Sequence, residues 1–444
     1  MLGTATKAVY KNKEKTSTLS QKLIFTSVIL ILIQFLSQIP IWGINREYIS
    51  LWIEGDMSSI FGMFNIFSGM SFQNLSLFAL GIAPYITASI ILQLLRVAIT
   101  PLDQMCKDSH DEKKFVEKIT FILAFFIGIL QVIPLVVNIA SSGLLTENTM
   151  PYKLLVGGSI LMGSAIVIAL GKVIDKKGVG NGISLILLIN ILSSLKMDFI
   201  GIYQMFISGK DFMTIGITIA ITLIVIIFSL LVVIYLHEGK KDIKVMFSGR
   251  MQGGKIVKAP DSVIPLKVNM SGVMPVIFAS TFVQLIPMVA VLFKAKEGSV
   301  LLEISKYFNQ TYWFNFGDIK YTIGVVFFFI AVVFFSYFYN MISFNTYDIA
   351  NNLNKQGGTI AGIRPGKTTK EYLDAQVRYM ILLGSLMLII VAIIPMIIGG
   401  IANIGLSFGG TSIIIVVSVL LETYKTINIE RTKLSVLPKS YKMF

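Results

Sequence analysis

The chain has 444 residues, 55% hydrophobic and 14% charged, with a formal net charge of +14 and a mean hydropathy of +0.77. That apolar content exceeds what one soluble core of ordinary size can hide, so a bilayer must act as solvent. A lone cysteine, Cys106, rules out an internal disulfide, and the two distant histidines, His110 and His237, form no zinc or haem pattern, which argues against redox and metal catalysis.

In chain order, residues 1–22 are polar and basic (Lys7, Lys11, Lys13, Lys15, Lys22) and lead into the apolar run Leu23 to Ile39. No small-x-small cleavage pattern follows, and nine further apolar segments do, so this run is an uncleaved first span. Ile60 to Met70 is apolar but about half the length needed to cross, the mark of an interfacial or re-entrant helix. Irregular backbone over Ser68 to Asn74 would then need protein or a cavity around it, because lipid cannot satisfy its polar groups.

The remaining spans are expected over Leu75–Leu95, Phe115–Val137, Leu154–Val173, Gly182–Leu195, Met213–Leu236, Val268–Phe293, Tyr321–Ser343, Tyr379–Ile398 and Ile401–Leu421. Most approach the ~20 residues that cross about 30 Å of hydrocarbon. The fifth is short, opens on the glycine-rich Gly178 to Gly182, and is expected to continue past Lys196 toward Phe206.

Two gaps, 237–267 and 345–378, are too long to be plain connectors. The first alternates through Ile243 to Phe247 and again near Lys255 to Val257, with Gly253-Gly254 between, which predicts a β-hairpin. Their basic tips suit docking of an acidic or nucleic-acid-containing partner.

Basic residues crowd into every second gap. Of 38 Lys and Arg, only Arg46, Lys153, Lys196, Lys210, Lys294, Lys296, Lys306 and Lys320 lie elsewhere. Lys and Arg stay cytoplasmic, so both termini are inside and the number of crossings is even. Topology explains most of the positive charge, with a remainder available to acidic lipid headgroups. The first segment starts inside and the sixth outside, so two five-helix blocks run in opposite orientations. The organisation is a cytosolic segment 1–22, an N-terminal half 23–206, a C-terminal half 207–423 and a cytosolic tail 424–444.

The run Phe78-Ala79-Leu80-Gly81-Ile82-Ala83-Pro84-Tyr85-Ile86-Thr87-Ala88-Ser89-Ile90-Ile91-Leu92-Gln93-Leu94-Leu95 closely resembles the second-helix signature of the SecY/Sec61-alpha family. Four more strings resemble that family in order: Gly178 to Ser184, Pro265 to Pro275, Gly362-Ile363-Arg364-Pro365-Gly366-Lys367-Thr368-Thr369, and Phe408 to Ser412. The resemblance implies an all-α polytopic membrane protein, with ten transmembrane helices in two inverted five-helix halves around a central pore and a short plug helix. It implies a non-enzymatic channel, without cofactors, in the bacterial cytoplasmic membrane. Such a channel passes unfolded secretory polypeptides across and releases transmembrane segments sideways. Its implied partners are SecE, SecG, the SecA ATPase, the ribosome, substrate signal sequences and nascent chains, and anionic phospholipids.

Residue by residue, the resemblance implies a pore ring of Ile82, Ile86, Ile191, Ile277 and Ile415, an apolar constriction that sheds water when idle. The string around Ile191 diverges from the family pattern. Taken singly, an isoleucine in a membrane helix is ordinary filler. The plug is implied at about 60–72, with Ile60, Phe61, Phe64, Phe67 and Gly69. The lateral gate is implied between helices two and three and helices seven and eight, with Gln93, Gln131 and Asn269 as seam-closing amides worth on the order of 1 kcal/mol each. Isolated amides in membrane helices also bond to nearby backbone, an alternative that weighs as much as the gate for Gln131 and less for Gln93 and Asn269. Pro275 and Pro287 would let the seventh helix bend. Docking of SecA or the ribosome is implied at Lys240, Lys241, Arg250, Arg364 and Lys367; lysines 240 and 241 stand where the family often has arginines, and lysine lacks bidentate geometry.

An ion-coupled secondary transporter also uses broken helices and inverted repeats, but it needs ionisable groups near the midplane, and the ten segments hold none there. A membrane-embedded enzyme would need a nucleophile, metal cluster or paired acids in the same zone. An accessory SecY paralogue for selected glycoproteins is a nearer alternative; its cytosolic loops would be reduced, whereas these are long.

Overall fold

The computed structural model describes residues 19–45, 68–108, 111–203, 212–247, 250–252, 255–257, 262–270, 272–292, 299–309, 313–314, 319–402 and 410–436. The helices are α1 (Leu19–Leu36), α2 (Ala83–Ala98), α3 (Thr100–Asp108), α4 (Glu112–Ser141), α5 (Met150–Lys177), α6 (Gly182–Ile202), α7 (Phe212–Glu238), α8 (Met274–Leu292), α9 (Val300–Tyr307), α10 (Ile323–Ser343), α11 (Thr346–Lys355), α12 (Lys367–Ala402) and α13 (Gly410–Val436). Among the described residues six helices are long and apolar enough to cross a bilayer, and four shorter apolar helices, Ala83–Ala98, Gly182–Leu195, Leu223–Glu238 and Met274–Pro287, accompany them. Large side chains such as Phe35, Phe126, Leu154, Leu231 and Phe334 point outward and exposed, which is what lipid as solvent selects.

Within the N-terminal half, α2 packs on α4, α4 on α5, and α5 on α6, with α1 against α5 and α6. In the C-terminal half, α8 packs on α10, α10 on α12, and α12 and α7 on α13. The halves meet along two seams. One is the contact of α13 with α6 and α1, and the other, narrower, joins α8 to α2 and α4. At one end of the first seam Lys22 pairs with Glu430 at 3.1 Å, and nearby Lys425 pairs with Glu238 at 2.7 Å.

Several expected boundaries shift. The second segment is helical only from Ala83, where Pro84 suits the first turn because its missing N–H is not needed there. Before it, residues 69–82 form successive turns with positive φ at Gly69, Met70, Leu75 and Gly81. These turns are buried in protein as expected. Leu75 is inaccessible, and a Cβ on Gly163 of α5 would stand 1.8 Å from the Leu77 carbonyl oxygen, so only glycine lets that chain pass. The fifth helix does run past Lys196, to Ile202. Pro275 sits in the first turn of α8, leaving Pro287 as the residue that interrupts that helix. Helix α13 continues to Val436, beyond the expected inner end at 423, because its polar turns contact α7 and α1.

The two long gaps are folded together. Strand β1 (Lys240–Phe247) pairs antiparallel with β4 (Ser262–Lys267), Ile243 opposite Ile264. The residues near 255–257 form β3 (Lys255–Val257) and pair instead with β2 (Arg250–Gln252), around Gly253-Gly254. The hairpin is therefore longer than the local alternation suggested. A third strand, β5 (Gly358–Ile360), comes from the second gap and pairs with the outer part of β1, Val245 opposite Ile360. Ile243, Val245, Leu266, Leu353, Ile360, Leu373 and Val377 bury one core beneath this sheet, so both gaps form one body on the N-terminal end of α12. The described fold is thus mostly helical, with a small sheet in the region where a hairpin was expected, enlarged by a strand from the second gap.

Candidate functional site

Ile82 caps the N-terminus of α2, and Ile86, one turn on, shares its face. Ile191 comes from α6, Ile277 from the first turn of α8, and Ile415 from α13. All five are buried, none more than 8% exposed, and all five belong to one apolar cluster shared by both halves. Phe278, next to Ile277, packs edge-on against Phe335 of α10 at 5.8 Å between centroids. An apolar centre of this kind offers water no hydrogen bonds, and so disfavours wetting and ion passage.

The polar lining begins directly beside this centre. Asn190, 3% exposed, precedes Ile191 on α6. Gln34 of α1 donates from Nε2 to Ser193 Oγ at 2.5 Å. Gly69 has φ +64, and a Cβ there would lie 2.7 Å from Asn190 Oδ1, so the backbone rests on that side chain. Of the implied plug residues, Ile60, Phe61, Phe64 and Phe67 lie outside the described residues; Gly69 is described. Sequence reading passed over Asn190 and Gln34. An amide inside an otherwise apolar stretch is the signal that could have found them.

At the narrower seam, Asn269 lies between β4 and α8, Gln93 on α2 and Gln131 on α4. Among the described residues no hydrogen bond links these three amides. Gln93 Nε2 donates to Ser89 Oγ on its own helix at 3.2 Å. Gln131 Oε1 and Asn269 Nδ2 are buried and have no hydrogen-bond partner among the described residues. An i,i+4 neighbour is always within reach of a helical glutamine, and Ser89 takes that role here.

On the body built by the two long gaps, Arg364 is exposed at the turn between β5 and α12. The turn is fixed by the Thr369 hydroxyl donating to the Arg364 carbonyl at 2.8 Å and by Ile363 N–H donating to Ile360 O at 3.0 Å. Lys367 is exposed and 3.9 Å from Glu371. Lys240 lies 3.8 Å from Asp242, and Lys241 Nζ donates to Gln376 Oε1 at 2.6 Å. Arg250 begins β2, and its side chain lies outside the described residues. The glycine-rich string before α6 has a structural use: Asp175 accepts from Gly182 N–H at 2.6 Å, Asn181 accepts from Ser184 N–H at 3.2 Å, and Thr26 accepts from Val179 N–H at 3.1 Å.

Together these features define a polytopic helical membrane protein whose helices converge on a buried apolar centre, with a small folded body carrying basic residues at one end. The family model for SecY matches residues 76–424. A protein named protein translocase subunit SecY, from Rickettsia bellii, is 33% identical over 420 residues, 93% of each chain; a relative of the same name from Streptomyces scabiei is 34% identical over 429 residues, 93% of this chain and 95% of that one. A solved structure described as that of a protein conducting channel superposes with a TM-score of 0.65 at 20% identity, covering 93% of both chains. Sec61 in the canine ribosome–channel complex gives 0.64 at 20% identity over the same shares. The chain belongs to the SecY family, and it is a multi-pass membrane protein.

Proposed function

We propose that this chain is the pore-forming subunit of a protein translocase in the bacterial cytoplasmic membrane, with ten crossings, inverted halves and both termini inside. Unfolded secretory chains pass through its centre, and transmembrane segments leave sideways between α2/α4 and α8/α10. The observation that carries this reading is the burial of Ile82, Ile86, Ile191, Ile277 and Ile415, drawn from four helices of both halves, in one apolar cluster. Side chains so assembled close a passage to ions yet separate without breaking hydrogen bonds when a polypeptide enters.

The remaining parts follow from the same reading. Residues 60–72 are the plug. Gln93, Gln131 and Asn269 line the gate as separate amides that an inserting segment can engage. The cytosolic body, with Arg364 exposed at its tip, receives SecA or the ribosome; the canine relative was solved in a complex with the ribosome. SecE, SecG and anionic phospholipids complete the working assembly. The long folded cytosolic body favours this role over the accessory paralogue and the transporter.

The test is resting ion conductance of the reconstituted complex in planar bilayers. Replacing Ile82 and Ile86 together by Gly raises it if the cluster is the constriction; unchanged conductance removes them from that role. Co-purification of a small single-span companion separates the channel from a transporter.

A further inference from the structure

The link between α8 and α10 carries the short helix α9, whose outward face is apolar. Strand β4 precedes α8, and α10 leads on to α11 and β5, so α9 lies at the end of this helix pair away from the sheet body. Ser299 starts it, with its hydroxyl accepting from Leu302 N–H at 3.3 Å. Helical spacing gives α9 three faces. Ser305, 3% exposed, marks the face turned into the protein. Glu303 and Lys306 form a polar face, where Glu303 accepts from the Tyr321 hydroxyl at 2.9 Å and pairs with Lys306 at 3.2 Å and with Lys320 at 3.6 Å. Val300 and Ile304, one turn apart, form the third face and are 76% and 42% exposed.

The third face runs on to Phe308, whose ring centroid lies 5.4 Å from that of Phe327 on α10. Phe327 belongs to a stripe of α10, with Ile323, Val326 and Ile330, that is large, apolar and exposed, as hydrocarbon selects in a membrane-crossing helix. Four residues separate Phe327 from Ile323 at the start of α10, about 6 Å along the axis. The end of α9 is therefore sunk below the end of α10. It is fixed there, because a Cβ on Gly324 would overlap the Tyr307 carbonyl oxygen, and Trp313 Nε1 donates to that same oxygen at 2.8 Å. Amphipathic helices that lie in a membrane interface sink their apolar face by ~5–10 Å, which matches this depth. We infer that α9 is an interfacial helix: its Val300–Ile304–Phe308 face lies against the acyl chains of the leaflet away from the sheet body, while Glu303, Lys306 and Lys320 stay among the headgroups. Continuity with the exposed stripe of α10 is what selects lipid over a second protein as the occupant. Lysine stems can run along apolar surface with the ammonium in water, so Lys306 and Lys320 suit that border. Because α9 joins α8 to α10, its seat in the leaflet fixes the depth at which both helices end. The inference needs only that the chain is a membrane protein, and it stands apart from the pore reading.

The test uses the full chain co-purified with its partner subunits, in vesicles of phosphatidylcholine with a minor share of phosphatidylglycerol. Cys106 is buried, so the folded unaltered chain is the blank for labelling with a thiol-reactive fluorescent dye. The dye is attached through Ile304→Cys and, in a separate variant, through Lys320→Cys on the polar side; Val300→Cys takes the place of the first if that variant fails to assemble. At position 304 the dye is expected to lose emission when the phosphatidylcholine is brominated near the headgroup end of its chains, and to be shielded from aqueous iodide. At position 320 iodide is expected to quench and the bromines to act weakly. Iodide quenching at 304 without bromine quenching puts the face in water and overturns the inference. Shielding from both quenchers means that protein covers the face, which overturns lipid as the occupant. Bromine quenching as strong at 320 as at 304 means that the whole link is sunk, which overturns the two-sided helix.

Discussion

Helix α5 carries two glycines whose replacement by alanine should move stability in opposite directions. Gly163 lies under the turns that lead from Ser68 to α2, and a Cβ there would stand 1.8 Å from the Leu77 carbonyl oxygen, whereas real Cβ contacts essentially never fall under 3.0 Å. Relief requires the buried carbonyl to retreat by more than an ångström, into a segment pinned by Leu75 and by Ile41 N–H donating to the Leu75 carbonyl at 3.1 Å. Overpacking of this kind destabilises by about 1–3 kcal/mol. The intrinsic helix gain of Gly→Ala, about 0.5–1 kcal/mol, offsets only part of it. Gly158, on the same helix, has nothing within 4 Å of its would-be Cβ, so Gly158→Ala keeps the gain without the overlap. Cys106, the single cysteine, is fully buried in α3, so a thiol-reactive dye reports unfolding in detergent from one site. Gly163→Ala should lower the melting temperature, and Gly158→Ala should hold or raise it. Equal or reversed shifts would refute the close approach of Leu77 to α5, and with it the buried course of the turns that set Ile82 and Ile86.

Changing Arg364 to Glu should impair SecA-driven transport into vesicles while the Cys106 dye transition stays unchanged; full transport in that variant would remove the β5–α12 turn from the docking surface. Glu303 of α9 is held below the ordinary carboxylate range, chiefly by the Tyr321 hydroxyl donating at 2.9 Å and by Lys306. A depressed carboxylate contributes stability above its unfolded pKa and loses it as pH falls through the folded value. Glu303→Gln should therefore melt lower than the unaltered chain at neutral pH, with the gap closing toward acid; a gap that widens toward acid would contradict the assignment. The Lys22–Glu430 pair across the α1–α13 seam is about a third exposed, so a double-mutant cycle should return a coupling of no more than about 1 kcal/mol, shrinking in salt. A coupling several times larger would mean that this pair, and not apolar packing, holds that seam.

Hydropathy was enough to mark the long apolar helices of a multi-pass membrane protein, because hydrocarbon demands about twenty apolar residues in a helix. Residue type also singled out the broken stretch around Ser68, whereas the five isoleucines now found in one cluster were named only through the resemblance. Length and periodicity say nothing about partners distant in sequence, and those partners were decided only by the tertiary structure. The helix at 83 starts where it does because the preceding turns are packed against Gly163. Strand 240–247 pairs with 262–267 and then with 358–360, a residue run that carries no strand signal of its own. The gate amides find local bonds or none. Asn190 acquires its meaning from Gly69, which is more than a hundred residues away in the chain and in contact in space.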